Sequence, residues 1–534
     1  MEFDFDVIVI GSGAGGGTLA AACAASGKNV LLIERGHSLS ASSSHLANSA
    51  VTHDEQSVLI DKTPYDDREV ILNGRGNRLY ISGVTGGGTE LYGGALLRPR
   101  PEDFEPGRYY RDRLPKAIHC WPVGFEELAG YFDVAEGLYR VVNPDLVHIQ
   151  PSNVTPSMNS CRSGLSLLRK SEPKVSDESK NRDTGLPLAA VNVRLMGCAR
   201  NAGLMPYRLP LAIDARTCLR CDHCAGFPCP TGSRRSSSQL IADSIARGES
   251  LTLMTGSEVV RLIRNRNRRG DPRSLLDGVE ILDRASQRRQ TLRARRYVLA
   301  AGAVGSPVIL LRSGYEHPLI GRNYMTHYSP LSVGIYLRRT EADSAFIKQV
   351  GLSDFYFGTA DLPEKMGVVQ SLPAPGPLMM RKAGLKRVPS RLLQTLRARM
   401  LPLMGIVEDL PSPGNRVTIA DNGRIGLRHS FSEYDSIRGR ALEREMTRLL
   451  RLSGAIHCVG SQIPSREHVA HQCGTLRFGT HRESAVADRS CRLFDQEDVF
   501  VADGSFMPTS LGVGPSLTIV SNALRVADTV ISEC

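Results

Sequence analysis

The chain has 534 residues, 41% hydrophobic and 23% charged, which excludes a disordered or fibrous protein and leaves length for more than one core. A net charge of +11 would suit a nucleic-acid binder. However, the arginines are scattered beyond short clusters at 264–269 and 391–400, with neither zinc-finger spacing nor an aromatic RNA-binding motif, so no nucleic-acid partner is expected.

No residue from Val7 to Gly27 is charged, but six glycines in that stretch oppose a membrane span, and no basic region precedes it as in a secretory leader. The expectation is a cytoplasmic protein without a transmembrane segment. Twelve cysteines would stay mostly reduced there.

Residues 4–36 read as strand, tight turn, helix and strand: "DVIVI", "GSGAGGG", the alanine-rich "TLAAACAASG" closed by Gly27, and "VLLIE". Gly11, Gly13 and Gly16 form G-x-G-x-x-G. The first permits the turn, the second lets the backbone approach a pyrophosphate, and the third lets helix and strand pack closely. The helix N-terminus then offers N–H groups to phosphates. Glu34 closes the second strand, where a carboxylate accepts ribose hydroxyls and disfavours the extra phosphate of NADP.

Next comes "GGGTELYGGALLRPRPEDF" (86–104), a glycine-dense loop leading to an extended piece. "CLRCDHCAGFPCP" (218–230) spaces Cys218, Cys221, Cys224 and Cys229 as C-x₂-C-x₂-C-x₄-C-P, one residue longer at the end than a ferredoxin-type run. An iron–sulfur or other metal site, local disulfides and reduced structural thiols all remain open. The segment 379–404 is basic and amphipathic, interrupted by Pro389; it reads as a surface helix touching a membrane or partner, or a cover over a substrate entrance. Near the end, 499–528 reads as a strand ending at Asp503-Gly504, a loop, and an apolar helix from about Pro515.

Together with "WPVGFEELAGYFDVAEGLYRV", "VLAAGAVGSPVILLRSG", "GRNYMTH" and "HQCGTLRFG", these motifs resemble the glucose–methanol–choline (GMC) family of FAD-dependent oxidoreductases over nearly the whole chain. A NAD-linked dehydrogenase has no reason to carry the later motifs. The resemblance implies an α/β fold, α+β overall. A discontinuous Rossmann-like FAD-binding domain (1–100, 210–315 and 465–534) would carry an inserted substrate domain (101–209 and 316–464) on an antiparallel sheet with helices. Gly11, Gly13, Gly16 and Glu34 would hold the adenosine diphosphate. Gly87, Gly88, Thr89 and Tyr92 would lie beside the flavin, Val259 near the adenine, and Asp503 and Gly504 near the pyrophosphate and ribityl chain.

Alcohol oxidation removes a hydride and a hydroxyl proton, and an imidazole suits the proton because its pKa lies near neutrality. Of 13 histidines, His471 in "HQCGT" matches the family's H-x-x-G-T, which makes it the expected base; His468 would then be structural. The family places Asn or His before the Pro of its terminal motif, and here that position is Gly514. Three readings follow: a roomier site for a bulkier alcohol, a substitute oxygen contact such as Glu408, or an impaired flavin-binding or electron-carrier protein. The cysteine loop and "HQCGT" point to bacterial branches acting on sugars, glycosides or specialised metabolites. The leading expectation is the 6′-hydroxyl of an aminosugar. The alternatives are a neutral sugar at C3 and a sterol or other alcohol. Either oxygen or another electron acceptor would reoxidise the flavin. The positive net charge opposes a polycationic substrate at long range.

Overall fold

The computed structural model describes residues 3–38, 55–142, 186–220, 224, 226–265, 275–344, 348–462 and 470–534. Its first half is organised by strands with continuous apolar runs. Val7, Ile8 and Val9 in strand Phe5–Ile10 and Val30, Leu31 and Leu32 in strand Val30–Ile33 are fully buried. A continuous apolar run, rather than an alternating one, marks a parallel strand covered on both faces. These strands join a six-stranded sheet ordered Arg492–Leu493, Gln496–Val501, Ala294–Leu299, Phe5–Ile10, Val30–Ile33 and Leu251–Met254, parallel except for its first, hairpin strand. Helix Ala14–Ala25 packs against Ser237–Ala246 and Ser516–Glu533, and the last also meets Phe125–Leu138. A three-stranded meander, Ser257–Ile263, Gly278–Asp283 and Arg289–Leu292, packs on helix Gly302–Arg312.

The second half is built on alternation. A six-stranded sheet, antiparallel throughout, runs His457–Gln462, Pro330–Ile335, Met400–Gly405, Val369–Ser371, Val350–Leu352 and Tyr207–Arg208. Leu401 and Leu403 pack with Leu442, Met446, Leu449 and Leu450 of helix Glu433–Leu452. Met404, one residue on from Leu403, belongs instead to the core of the parallel sheet. Directly paired residues share a face, so the register Leu331–Met404–Gln370–Gly351–Tyr207 defines one row across this sheet, turned toward the parallel-sheet half. A small sheet, Arg416–Ile419, Ile425–Arg428, Glu69–Leu72 and Arg75–Arg78, joins the two regions of sequence through a parallel pair.

Several local expectations shift. The first helix begins at Ala14 rather than Thr18, because the glycines that make the turn also start the helix. The terminal strand stops at Val501, and Asp503 begins a short 3₁₀ turn. Pro515 caps the last helix, which starts at Ser516. The expected helix across 379–404 is two short helices, Pro377–Lys382 and Ser390–Arg397, followed by strand Met400–Gly405 inside the core. Pro389 stands as cap of the second helix, and the β-favouring packing of 400–404 overrides its basic, helix-like spacing. Among the described residues, no helix is long and apolar enough to cross a membrane.

Between the halves lies a fully buried ion cluster. Lys365 Nζ is 2.7 Å from Asp103 Oδ1 and also pairs with Glu408, and all three side chains have no exposure. The Tyr110 hydroxyl donates to Glu408 Oε2 at 2.8 Å and the Tyr356 hydroxyl to Asp103 Oδ2 at 2.5 Å. Arg438 donates to the Glu408 carbonyl at 2.7 Å and to Asp435 at 2.5 Å. Burial opposes the Lys365 charge, but Asp103 and Glu408 overcome it and push its pKa upward. Replacing Lys365 with Met strands two carboxylates in the interior, at a cost of about 3–5 kcal/mol. Chemical denaturation is expected to show a loss of that size, and an unchanged midpoint would mean the cluster carries no structural weight.

Candidate functional site

In a parallel sheet the carboxyl ends of the strands open onto a common crevice. Here strands Phe5–Ile10, Ala294–Leu299 and Gln496–Val501 deliver Gly11, Ala300 and Ala502 to the same edge. At Gly11, φ is +102° and a Cβ would lie 2.4 Å from the Ala300 carbonyl oxygen, so only glycine makes the turn. A Cβ at Gly16 would lie 2.0 Å from the Gly11 carbonyl oxygen, which lets the helix sit directly on the strand.

The turn is locked to the second glycine loop by one hydroxyl. Ser12 Oγ donates to Glu34 Oε2 at 2.6 Å and accepts from Gly86 N at 3.0 Å. Glu34 also accepts from Ser12 N at 3.1 Å and from Gly36 N at 2.8 Å. A carboxylate has about four acceptor sites, so a ribose hydroxyl would take the one these three bonds leave. Thr89 donates to the Gly86 carbonyl at 2.6 Å and accepts from Ser237 N at 2.9 Å, and the Tyr92 hydroxyl donates to the Arg235 carbonyl at 2.5 Å. Both side chains shape the loop rather than reach outward.

Between the two loops the chain presents backbone alone. The nearest atom to a Cβ at Gly13 would be Gly87 Cα at 4.0 Å, and Gly88 faces open space. This cradle beside the helix N-terminus fits the pyrophosphate and flavin end of FAD. Val259 is buried in strand Ser257–Ile263, where the register shifts between Val259 and Arg261 and leaves main chain outside the ladder. All four acceptor sites of Asp503 are engaged: by Gly302 N at 2.8 Å, Ser306 Oγ at 2.5 Å, Ser505 N at 2.8 Å and Ser505 Oγ. Its side chain therefore fastens helix Gly302–Arg312 to the terminal loop. Gly504 is closed in by the Gln472 carbonyl oxygen, 2.6 Å from where a Cβ would be.

The "HQCGT" segment is held from both sides. Cys473 and Met325 exchange backbone hydrogen bonds of 3.0 Å, Gly474 N donates to the Gly504 carbonyl at 3.1 Å, and the Thr475 hydroxyl donates to the Ala303 carbonyl at 2.7 Å. His471, at φ +65°, turns its ring so that Nδ1 lies 3.0 Å from His327 Nδ1, with the rings nearly perpendicular at 86°. A Cβ at Gly514 would lie 3.5 Å from His471 Nε2 and 3.6 Å from Cε1. The position without a side chain and the imidazole thus face each other directly.

Glu408 corrects an expectation. As a substitute contact for a substrate oxygen it is unsuitable, because Lys365, Tyr110 and the Leu511 N–H, at 3.1 Å, engage a carboxylate with no exposure. It acts on the site through Leu511. His327 is the residue that sequence reading passed over. It ends "GRNYMTH", but one histidine among 13 has no spacing signal, and its meeting with His471 needs the Met325–Cys473 pairing. His468 lies outside the described residues.

Cys218, Cys224 and Cys229 line one small pocket with Ile213 and Arg234, while Cys221 lies outside the described residues. Burial raises the Cys218 thiol pKa. Among the described residues no disulfide forms and no three His, Cys, Asp or Glu side chains are grouped to hold a metal. The Arg234 guanidinium donates to the carbonyls of Cys224, Glu90 and, at 2.7 Å, Phe227, which ties this loop to the glycine cradle.

Comparison with known proteins agrees with this geometry. Residues 174–329 and 434–523 match the GMC oxidoreductase family, and residues 6–67 match an FAD binding domain. Paromamine 6′-oxidase of Streptomyces fradiae is 26% identical, covering 99% of this chain and 92% of the relative. The 6‴-hydroxyparomomycin C oxidase of Streptomyces lividus is 28% identical with the same coverage. Pyridoxine 4-oxidase from Mesorbium loti shares the fold, with a TM-score of 0.66 at 20% identity over 98% of this chain and 99% of that one.

Gly87 tests the cradle. Its φ is +54° and a Cβ would lie 2.7 Å from Gly13 Cα, so Gly87→Ala must push the two loops apart. A strain of about 1–3 kcal/mol weakens FAD binding on the order of tenfold or more. Flavin content after dialysis checks this, and full retention would place the cofactor elsewhere.

Proposed function

The chain belongs to the GMC oxidoreductase family, as an FAD-dependent alcohol oxidase or dehydrogenase, and from that premise we propose that it oxidises a hydroxyl of a sugar or aminosugar, with His471 as base. The observation that carries this reading is the His471 imidazole facing Gly514 across a space without side chain. FAD, when bound, supplies the acceptor for the hydride of the alcohol carbon. The chain's own tasks are to seat the hydroxyl, take its proton at His471 Nε2 and keep the imidazole in place. Gly514 offers the substrate oxygen no side-chain hydrogen bond, and the room it leaves suits a bulky alcohol.

The two Streptomyces relatives, oxidases of paromamine at 6′ and of 6‴-hydroxyparomomycin C, support an aminosugar hydroxyl as substrate. A specific contact favours a neutral sugar as the second reading. Lys348 crosses Gly93, whose Cβ would lie 3.0 Å from Lys348 Cε, and its Nζ donates to Gln370 Oε1 at 3.1 Å. Gln370 sits in the sheet row turned toward the parallel-sheet half. Burial lowers the Lys348 pKa to about 8, so the ammonium is only weakly favoured, and a substrate ammonium beside it would lower that further. Hydroxyl oxygens, which accept from both side chains, face no such penalty.

A cluster on the cysteine loop would give electrons an exit toward an acceptor other than oxygen, but Cys218, Cys224 and Cys229 share a pocket without being grouped to hold a metal among the described residues. Iron and acid-labile sulfide content of the purified protein decides it.

Replacing His471 with Ala is expected to leave FAD bound and slow anaerobic flavin reduction by candidate alcohols by about 10²–10⁴. An unchanged rate would remove His471 as base, and no reduction of wild-type flavin by a broad sugar and alcohol panel would favour an electron-carrier role. Lys348→Met is expected to raise KM for a neutral sugar several-fold and to spare or improve that for an aminosugar. Equal effects on both would dismiss Lys348 from recognition.

A further inference from the structure

We propose that His327 is a positioning residue for His471: it accepts the His471 Nδ1 proton and so holds the tautomer whose unprotonated Nε2 faces Gly514. The inference rests on the reading of His471 as base, and derives which of its two nitrogens does the work and what fixes the choice.

The chain of hydrogen bonds leaves one consistent assignment. His327 Nε2 lies 2.9 Å from the Leu511 carbonyl oxygen. A carbonyl only accepts, so His327 Nε2 carries a proton. Two ring nitrogens 3.0 Å apart need one donor and one acceptor between His327 Nδ1 and His471 Nδ1. If His327 is neutral, its Nδ1 is bare and His471 Nδ1 must donate. A neutral His471 then has its lone pair on Nε2, the atom 3.5 Å from a Cβ at Gly514. If His327 were an imidazolium, the direction would reverse, His471 would carry its proton on Nε2, and it could not act there as a base.

The surroundings choose the neutral form. His327 is buried beneath the terminal loop, and that burial, the largest influence, lowers its pKa to about 4. The charged groups that face it are Glu408, which favours the cation, and Lys365, which opposes it; the His471 ring lies at 4.9 Å between centroids. Lys365 pairs with Glu408, so the two largely cancel at His327.

The Leu511 carbonyl is itself placed. Leu511 has φ +67°, an unfavourable backbone for a side-chain-bearing residue, and its N–H donates to Glu408 Oε1 at 3.1 Å. The order from buried to reactive is therefore Lys365, Glu408, the Leu511 backbone, His327 and His471. His327 Nδ1 stands to His471 as an orienting acceptor stands to a catalytic imidazole elsewhere, a role usually filled by a carboxylate. A neutral acceptor holds the tautomer without a charge that would tie the base to its protonated form.

The test uses the FAD-loaded protein without substrate, labelled with ¹⁵N at histidine. His471 is expected to show a protonated Nδ1 and a bare Nε2 near pH 7. A protonated Nε2 in the wild-type protein would overturn the proposal whatever the variants do. His327→Leu removes the acceptor, and His471 is expected to shift toward the Nε2-protonated tautomer. Flavin reduction should then slow by about 10² or more, with the alkaline plateau of the rate reached at a different pH. His327→Asn returns an acceptor near the Nδ1 position and should recover part of both the tautomer signal and the rate. An unaltered His471 tautomer in the Leu variant would also overturn the proposal. If His471→Ala leaves flavin reduction unaffected while the tautomer signals behave as expected, the base assignment fails and the His327 contact survives as structure.

Discussion

One buried interaction sets the geometry of this site: the pairing of Lys365 with Glu408 and Asp103 at zero exposure. An isolated charge in that position would be prohibitively costly, so the three groups and their tyrosine donors form or fail together. Because strand Val407–Glu408 carries Glu408 and pairs with His327–Tyr328, the cluster lies behind the histidine that meets His471. Glu408 also takes the Leu511 N–H, which fixes the terminal loop in a conformation that loop would not choose alone. Charge pairing in the interior is thus converted, through the N–H and C=O of one residue, Leu511, into the direction of an imidazole.

The two ends of the site are made by different physics. At the glycine cradle, the determinant is absence of side chain: Gly11, Gly16 and Gly87 let main chain approach main chain, and Gly13 and Gly88 leave backbone as the lining. At the reactive end, the determinant is hydrogen-bond direction, passed between residues far apart in sequence. Gly514 lies opposite His471 and contributes only space.

Sequence and structure agree most closely where a residue type has one physical reason to be present. The parallel strands were legible because continuous apolar runs have few other uses, and the first turn because its glycines stand at the spacing a pyrophosphate requires. Reading failed where tertiary packing overrode local pattern. The basic stretch before residue 400 has helical spacing, yet Met400–Gly405 became a core strand because its partners Pro330–Ile335 and Val369–Ser371 give it a sheet to complete. Glu408 looked available to a substrate because nothing in "VEDLPSPGN" reveals a lysine 43 residues earlier pressed against it. Thr89, Tyr92 and Asp503 were expected beside the cofactor, and the hydrogen bonds of their side chains run to other parts of the protein.

By itself, the sequence determined the dinucleotide turn and the acid that follows it, because each is a short-range pattern whose meaning lies in its own spacing; its resemblance to the family, carried by motifs along nearly the whole chain, implied the FAD-dependent chemistry and pointed to the imidazole at 471. Only the tertiary structure decided that His327 would meet that imidazole, that Glu408 would be sealed away, and that three of the cysteines would share one pocket. The first two outcomes depend on contacts across tens to hundreds of residues. Such contacts are selected by burial and pairing energies that no local window of residues contains.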